Sequence, residues 1–375
     1  MNWPTVLYSE EIMREGLGIA RAKIALADRV RLLEALSDTG LKRITVGAFV
    51  SPRYVPQLQD FETLLRAFQP RPGVEYLTFM HNPKARLKAQ EFSPPLTLEP
   101  EVVTLFQDIC DVHQRRNVNR SIEAAMAAWP ELIADAKSRG VTRARAGIAS
   151  VWGSNFQGAF SREYRLWSLE QQMNILQAAG LEVFEIGLHD SQSWCLPHLI
   201  EADLQEIKRR WPQVRQFHLH MHDARGMALP CLYAALRVLD ASDTLLIDGT
   251  LGGLGGGQYC GNGMASGMVA TEDLLHMLEG MGIPTGVDLD RLIECVWMLE
   301  DMLGISAFGH VAKAGPRPQR PDQHYDPNLP AVESLQGARH FKLGPSAYTD
   351  EAYSPWKQPI TGPWFRGPDD SARNH

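Results

Sequence analysis

The chain has 375 residues, of which 44% are hydrophobic, and a formal net charge of −7. This length is sufficient for a large buried core, in one large α/β domain or in two smaller ones. The negative charge gives no general attraction to nucleic acid or to an anionic membrane, and no segment has the roughly 20 apolar residues that span a bilayer. The N-terminal residues lack the basic and apolar regions of a signal peptide, so a cytoplasmic protein is expected.

The apolar pattern predicts strands that alternate with helices along most of the chain. Strands are predicted at residues 5–8, 43–50, 74–80, 102–109, 142–150, 181–188, 214–222 and 244–247. Helices are predicted at residues 20–37, 55–68, 121–137, 165–179, 199–210, 228–239, 271–279 and 289–303. Regular alternation of this kind implies parallel strands with helical crossovers, and its eight units predict a (β/α)8 TIM barrel. A doubly wound open sheet is the alternative, although no GxGxxG follows the first strand.

Residues 1–303 are therefore expected to form the barrel domain, and residues 304–375 an irregular extension. Prolines recur from Gly315 to the end of the chain, which is typical of an irregular segment. The extension also carries aromatic residues, namely Phe341, Tyr348, Tyr353, Trp356, Trp364 and Phe365. Docking of this extension on the barrel is one interpretation, and a homodimer is the other. The five scattered cysteines contain no CxxC pair, so neither a disulfide framework nor a zinc knuckle is indicated.

A histidine-rich strand carries the strongest chemical signal. In residues 217–223 the sequence reads FHLHMHD, so that His218, His220 and His222 alternate with apolar residues. Alternate residues of a strand point to the same face, and two neutral imidazoles on one face can hold a divalent cation. The three histidines could also be ordinary core or surface residues. Their position at a strand end, before a glycine-rich loop, favours a metal site.

Other polar groups follow strands in the same way. They include Arg14 and Glu15 after the first strand, Asp190 after the sixth, and the loop 252–267 after the eighth. Each alone has an ordinary interpretation, since an Arg–Glu pair is usually a surface ion pair and a strand-end aspartate is often a helix cap. In a barrel, however, these strand ends meet on one face. A carboxylate with two imidazoles suits a divalent metal there, and an arginine beside them suits an oxyanion.

These residues resemble the 3-hydroxy-3-methylglutaryl-CoA (HMG-CoA) lyase branch of the DRE-TIM metallolyases. The resemblance covers about residues 14–303. The segments that match best are FVSPRYVPQ at 49–57, NVNRSIE at 117–123, HMHD at 220–223 and the glycine-rich segment 252–282, which contains GLGG and ATEDL. These motifs are highly specific for the superfamily and its barrel, and less specific for the substrate.

The resemblance implies a role for each matching residue. Arg14 matches the arginine that stabilises an enolate, and Glu15 lies where the family has a metal-binding aspartate. His220 and His222 match the two metal-binding histidines, and His220 is also a candidate for proton transfer. Two further acidic active-site positions are matched by Asp190 and Glu272. The implied cofactor is a divalent metal, Mg²⁺ or Mn²⁺ first, with Co²⁺ or Zn²⁺ as alternatives.

Several positions depart from the family pattern. Glu15 is one methylene longer than aspartate, and Thr45 stands where the lyases have a glutamate at the end of the second strand. Met268 replaces a metal-binding asparagine, and a thioether is a poor ligand for Mg²⁺ or Mn²⁺. Asn262 in the longer glycine loop is a candidate replacement ligand.

The same loop differs from the family at its reactive thiol. Gly257 replaces the cysteine of the lid in the lyases, and Cys260 lies three residues on. Cys260 is therefore a candidate catalytic thiol, with a small packed residue as the alternative. We expect the glycine-rich loop to act as a lid, because glycine permits backbone angles that are closed to other residues.

The implied reaction is metal-dependent cleavage of a carbon–carbon bond in a 3-hydroxyacyl compound, expected to be a CoA thioester, giving an enolate and a ketone. One alternative is a synthase of the citramalate or isopropylmalate type, which condenses an acyl-CoA with a 2-oxo acid. Another is a barrel that has lost catalysis and acts as a binding protein, which the changes at Thr45 and Met268 leave open. A small hydroxyacyl substrate is the expected partner in the leading interpretation.

Overall fold

The computed structural model describes residues 2–19, 24–51, 53, 55–80, 83–255, 267–318, 323–324, 327–328 and 356–361. The chain divides into two compact units, Met1–Ala312 and Lys313–His375. The division expected from the sequence, at residues 303/304, precedes this boundary. Most of the second unit lies outside the described residues, so the docking proposed for its aromatic residues stays a prediction.

Eight of the ten described strands of the first unit form one curled parallel sheet. The strands are β1 (Thr5–Glu10), β2 (Arg43–Ala48), β3 (Glu75–Phe79), β4 (Val103–Asp108), β5 (Arg143–Ala149), β6 (Gly153–Ser154), β7 (Gly158–Ala159), β8 (Glu182–Asp190), β9 (Gln216–Met221) and β10 (Thr244–Gly249). Eight of them pair in the order β3-β2-β1-β10-β9-β8-β5-β4, and β6 with β7 forms a separate two-stranded hairpin. The predicted eight-stranded parallel TIM-barrel architecture is thereby confirmed. Within the described part of the chain, the ladder ends at β3 and β4.

Helices connect consecutive strands of the sheet. They are α1 (Leu26–Ser37), α2 (Phe61–Ala67), α3 (Pro83–Gln90), α4 (Asp111–Val118), α5 (Ile122–Ala127), α6 (Trp129–Ser138), α7 (Arg162–Ala178), α8 (Pro197–Arg210), α9 (Ala228–Val238), α10 (Thr271–Gly280), α11 (Leu289–Leu303) and α12 (Val311–Ala314). Among the described residues, no helix combines the length and the apolar character needed to cross a bilayer.

Two expectations about the helices were wrong in detail. The single helix predicted at 121–137 is two helices, α5 and α6, which meet at Ala128. Pro130 explains the break, because proline lacks an N–H donor and its ring clashes with the preceding turn, so it is tolerated only in the first turn of a helix. Helices α3 and α4 were missed altogether, since neither presents the apolar stripe on which the prediction relied.

Strand β9 shows how the sequence sets the two faces of the sheet. Phe217, Leu219 and Met221 are fully buried on the outer face. The alternate residues His218 and His220 face the interior of the barrel, as strand geometry requires. The predicted common direction of these histidines is confirmed by their shared hydrogen-bond partner, Asp248.

An ion-pair network occupies the barrel near the first residues of the strands. Arg145 of β5 contacts Glu185 of β8 at 3.3 Å and Glu99 at 2.9 Å, and Glu99 also binds Arg43 of β2 at 2.6 Å. Glu99 thereby links β2 and β5, which are the second strand from each end of the sheet order. Charged groups at this end of a barrel serve stability, whereas the opposite end, where the strands finish, is the place of chemistry.

Candidate active site and metal centre

The site begins in the residues that follow β1. Arg14 and Glu15 lie in one turn of π-helix, Ile12–Gly16, a geometry that is rare and frequent at functional sites. The glycine loop after β10 packs directly on this turn. A Cβ built on Gly255 would lie 3.0 Å from the carbonyl carbon and oxygen of Glu15, and its φ is +97°. Only glycine combines this close approach with a left-handed backbone angle.

Glu15, His220 and His222 converge at the carboxyl ends of the strands. Their ligand atoms all lie within 4.8 Å of one another. The Nε2 atoms of His220 and His222 are 3.2 Å apart, and Glu15 Oε1 is 4.0 Å from Nε2 of His222. Ligands at right angles around one ion, each about 2.1 Å from it, are about 3 Å apart. The three side chains therefore fit a single divalent cation after small adjustments.

Asp248 orients the first of these histidines. Its Oδ2 accepts hydrogen bonds from Nδ1 of His220 at 2.9 Å and from Nε2 of His218 at 2.8 Å. A proton on Nδ1 of His220 leaves Nε2 as a lone pair aimed at the cluster, as in other carboxylate–histidine–metal arrangements. Burial raises the pKa of Asp248, but His218 and His220 outweigh burial and hold this pKa well below its ordinary value.

The protonation states of the ligands suit a cation. Burial, followed by the neighbouring His220, lowers the pKa of His222 to about 3. Burial would raise the pKa of Glu15, but the charge of Arg14, and then those of His222 and His220, lower it overall. At neutral pH the site thus presents a neutral imidazole and an ionised carboxylate, which are the forms that bind metals.

Arg14 lies beside this cluster between two carboxylates. Its Nε donates to Glu11 at 2.7 Å, and a terminal nitrogen is 3.1 Å from Glu15 Oε2. The ring of Phe79, at the end of β3, lies 5.1 Å from the guanidinium carbon. Burial would lower the pKa of Arg14, but the two carboxylates outweigh burial and raise it, so the guanidinium is a permanent, oriented cation.

Comparison with known proteins assigns this arrangement to a family. The HMGL-like family model matches residues 6–298 of the chain. The chain belongs to the HMGL-like family. It is 31% identical over 319 residues to the 3-hydroxy-3-isohexenylglutaryl-CoA/hydroxy-methylglutaryl-CoA lyase of Pseudomonas aeruginosa, covering 84% of this chain and 98% of that protein. It is 33% identical over 291 residues to the hydroxymethylglutaryl-CoA lyase of Pseudomonas mevalonii, covering 78% and 90%.

Solved structures give the same relationship. The HMG-CoA lyase of Bacillus subtilis matches with a TM-score of 0.69 at 28% identity, covering 84% of this chain and 99% of that chain. An HMG-CoA lyase from Acinetobacter baumannii, in complex with coenzyme A and 3-methylmalate, matches with a TM-score of 0.68 at 28% identity, covering 86% and 98%. The resemblance inferred from the motifs is therefore confirmed.

One departure from the HMGL-like pattern has a structural counterpart. Thr45 replaces the glutamate expected at the end of the second strand. Burial raises the pKa of the Glu11 carboxyl, and Arg14 and Thr45 act in the opposite direction. Glu11 is 6% exposed and directly precedes the π-helical turn. A buried carboxylate is therefore present beside Arg14, but it comes from the residue after β1 rather than from β2.

Met268 occupies the position expected for a metal-binding asparagine. It pairs with His222 in an isolated antiparallel bridge, and directly opposed residues share a face. Met268 is fully buried there, and its thioether gives this position no oxygen ligand. Asn262 and Cys260 lie outside the described residues, and their predicted roles as ligand and thiol stay predictions, as does the lid.

Asp190 is not brought into the metal cluster. In the parallel ladder, His189 of β8 is opposite His220 of β9, so His189 faces the interior and the next residue faces outward. The carboxylate of Asp190 accepts hydrogen bonds from the backbone N–H groups of Trp194 and Cys195 at 2.8 and 2.7 Å. It fixes the loop after β8, and burial raises its pKa to about 6.

Glu272 also lies away from the three ligands. It is fully buried in the first turn of α10, where Oε2 accepts from the N–H of Gly252 at 3.0 Å. Oε1 has no hydrogen-bond partner among the described residues and lies against the backbone of Gly309. Burial first, and then the charge of Asp273, raise the pKa of Glu272 to about 8. A neutral carboxyl that supports the glycine loop fits this place.

Three site residues were missed by sequence reasoning. Asp248 and His189 each lie at the end of a strand, and Glu11 precedes the π-helical turn. His189 stacks on His220 with 4.9 Å between ring centroids. The sequence indicated only that these residues lie near strand ends. Whether such a residue faces the site depends on how neighbouring strands are aligned, and this alignment cannot be read from the sequence.

We predict that metal binding depends on the histidine pair. The His220→Ala, His222→Ala double variant should lose stoichiometric Mn²⁺ and catalytic turnover together, because one carboxylate cannot hold the ion alone. Metal content after gel filtration, measured by mass spectrometry, tests this. His198→Ala, at an exposed position of α8, is the control and should keep its metal. Full metal occupancy in the double variant would reject the site.

We predict a pH-dependent contribution of Glu272 to stability. Because its folded-state pKa of about 8 is above the ordinary 4.5, its stabilisation is complete below about pH 4.5 and is lost as the pH rises through 8. Glu272→Gln mimics the neutral carboxyl, so its thermal midpoint should decline less between pH 6 and 9 than that of the unsubstituted protein. Glu170→Gln, at an exposed position, should leave the slope unchanged. Identical slopes for Glu272→Gln and the unsubstituted protein would contradict the assignment.

Proposed function

We propose that this protein is a divalent-metal-dependent carbon–carbon lyase that cleaves a 3-hydroxyacyl-CoA to an enolate and a ketone. The observation that carries this proposal is the convergence of Glu15, His220 and His222 within 4.8 Å, beside the fixed cation of Arg14. Mg²⁺ or Mn²⁺ is the favoured ion because the set includes a carboxylate oxygen, and Co²⁺ or Zn²⁺ is the alternative for a set with two imidazoles.

Each residue has a distinct part in this reaction. Glu15, His220 and His222 hold the ion, and Asp248 fixes the ring of His220. When bound, the ion supplies a positive charge that polarises substrate oxygens and lowers the pKa of a substrate hydroxyl. Cleavage of the carbon–carbon bond leaves negative charge on the thioester oxygen of the departing fragment.

Arg14 is placed to stabilise that charge. It cannot be deprotonated at neutral pH, and its position between Glu11 and Glu15 keeps it oriented before substrate arrives. The side chain of Arg14 is only 22% exposed, and partial exclusion of water strengthens its attraction for an anion. Preorganised cations of this kind contribute to the rate because their geometry needs no rearrangement in the transition state.

The relatives support the choice of substrate class. The Pseudomonas aeruginosa protein is named for two glutaryl-CoA derivatives, which carry an isohexenyl and a methyl group at carbon 3. The Acinetobacter baumannii structure holds coenzyme A and 3-methylmalate. For this chain we therefore propose a 3-hydroxy-3-alkylglutaryl-CoA or a related 3-hydroxyacyl-CoA as substrate.

We predict that the protein converts HMG-CoA to acetyl-CoA and acetoacetate in the presence of Mg²⁺ or Mn²⁺, and that a chelator abolishes this activity. Product formation measured by chromatography with mass detection tests the prediction, with the isohexenyl analogue assayed in parallel. Acetyl-CoA consumption with a 2-oxo acid would instead identify a synthase. Binding of these thioesters without turnover would identify a binding protein.

The Arg14→Met variant separates catalysis from metal binding. It should retain stoichiometric metal but show a kcat lower by roughly 100-fold, as loss of one oxyanion-stabilising group commonly produces. An unchanged kcat in this variant would remove Arg14 from the mechanism.

A further inference from the structure

A second group of polar side chains lies at the carboxyl end of β4. Asp108 ends this strand, and His113 lies in the following helix α4. One carboxylate oxygen of Asp108, Oδ2, is hydrogen-bonded to Nδ1 of His113 and accepts from the Ser150 hydroxyl at 3.1 Å. The other oxygen accepts from the backbone N–H of Cys110 at 2.9 Å. A carboxylate at Nδ1 holds the proton on that nitrogen, so Nε2 is the basic atom of His113.

This pair is on the inner face of the barrel. Asp108 shares the face of β4 on which Phe106 lies, two residues earlier. The ring of Phe106 lies 4.3 Å from His189, and His189 lies 4.9 Å from His220. The carboxylate therefore lies on the same inner wall as the metal-binding histidines.

His113 is joined to this inner wall through Asp108. Its Nδ1 is hydrogen-bonded to the carboxylate at the end of β4, and the wall continues from Phe106 through His189 to His220. His113 belongs neither to the metal cluster nor to the residues adjacent to it in the chain.

The surroundings of this pair hold it rigidly. Asp108 is 5% exposed, His113 8% and Ser150 0%. Ser150 has a φ of +51°, a left-handed angle that residues with side chains rarely adopt, and this conformation is accompanied by the bond from its hydroxyl to Asp108. The thiol of Cys110 caps α4 by accepting from the backbone N–H of His113. Both the backbone and the ring of His113 are thus fixed.

We propose that His113, oriented by Asp108, is a catalytic residue that carries the proton between the two halves of the cleavage reaction. This inference rests on the function proposed above. Nε2 of His113 takes the proton of the substrate 3-hydroxyl, and the electron pair of that O–H bond forms the ketone. The carbon–carbon bond breaks, and its pair forms the enolate of the departing thioester.

The proton then returns to the substrate. The imidazolium of His113, stabilised by the ionised Asp108, donates the same proton to the α-carbon of the enolate, which gives the acyl-CoA product. Every atom of the substrate appears in the two products, and no oxidant, reductant or further reactant is needed. A histidine with a carboxylate on its other nitrogen is suited to both steps, because Nε2 can accept a proton and return it while the carboxylate holds the ring in place.

The same contacts would also be found if the pair served only to anchor α4, so the test must separate chemistry from packing. The variants are His113→Gln, His113→Ala and Asp108→Asn, with His198→Gln as the matched control at an exposed position. HMG-CoA is the substrate, and thermal midpoint, metal content, KM and kcat are measured for each. Exchange of the methyl hydrogens of acetyl-CoA with deuterated water reports proton transfer separately from cleavage.

We expect His113→Gln to lower kcat by roughly 100-fold or more, the usual contribution of a general acid–base, while KM and metal content stay close to those of the unsubstituted enzyme. Hydrogen exchange should fall in parallel. Imidazole added to His113→Ala should restore part of the rate, which a structural role would not produce. Asp108→Asn should lower kcat by at least about 10-fold, because the ring loses its orienting partner.

A second readout needs neither metal nor substrate. In protein labelled with ¹⁵N-histidine, the nitrogen shifts of His113 should identify the Nδ1–H form, and Asp108→Asn should abolish that preference. A kcat for His113→Gln within about 3-fold of the unsubstituted enzyme would overturn the inference and leave the proposed function intact. An unsubstituted enzyme that cleaves no 3-hydroxyacyl-CoA would overturn the proposed function and this inference together.

Discussion

The site depends on one buried carboxylate, that of Asp248. It lies one residue before the end of β10, opposite His220 of β9 in the parallel ladder, and it accepts hydrogen bonds from two imidazoles at once. An ionised group in so dry a place is costly unless it is fully paired, and the two histidines provide that pairing. In return, Asp248 fixes the proton of His220 on Nδ1 and directs Nε2 toward His222, in the cluster proposed to bind the metal. The geometry of the metal centre therefore follows from the register of two neighbouring strands.

Carboxylates also position Arg14, the fixed cation of the site, but they come from an unexpected part of the chain. The family resemblance predicts a glutamate at the end of the second strand, where this chain has Thr45. A carboxylate is supplied instead by Glu11, which follows β1 and accepts a hydrogen bond from Nε of Arg14. The π-helical turn that follows aligns Arg14 between Glu11 and Glu15. A similar electrostatic environment for the arginine is thus obtained from a different strand end, which argues for a retained rather than an abandoned function.

Much of the architecture was accessible from the sequence because strands and helices have different apolar periods. All eight strands of the sheet and the interior direction of the histidines were predicted by that criterion. The prediction of one continuous helix across Pro130 was wrong, because it relied on the apolar spacing and neglected the missing N–H of proline. Helix α4 was missed because its sequence is polar and its start depends on a cap from Cys110.

The site was predicted only in part, for a related reason. The candidate ligand His220 lies in β9 and His222 directly follows that strand, and Glu15 adjoins Arg14, so local spacing revealed them. Side chains that meet through the sheet register, such as Asp248 with His220, leave no mark in the spacing. Asp190 is the opposite case, because it looked like a site residue in the sequence. It directly follows the inward-facing His189 on the same strand, so its side chain faces away from the metal cluster.

We propose that two histidine nitrogens and one carboxylate hold the metal. Pulsed electron paramagnetic resonance of the Mn²⁺-loaded protein tests it most directly, because electron spin couples to directly bound nitrogen. We predict modulation from two imidazole nitrogens, which changes to the ¹⁵N pattern when only histidine is ¹⁵N-labelled. Stoichiometrically bound Mn²⁺ without histidine nitrogen coupling would contradict the account.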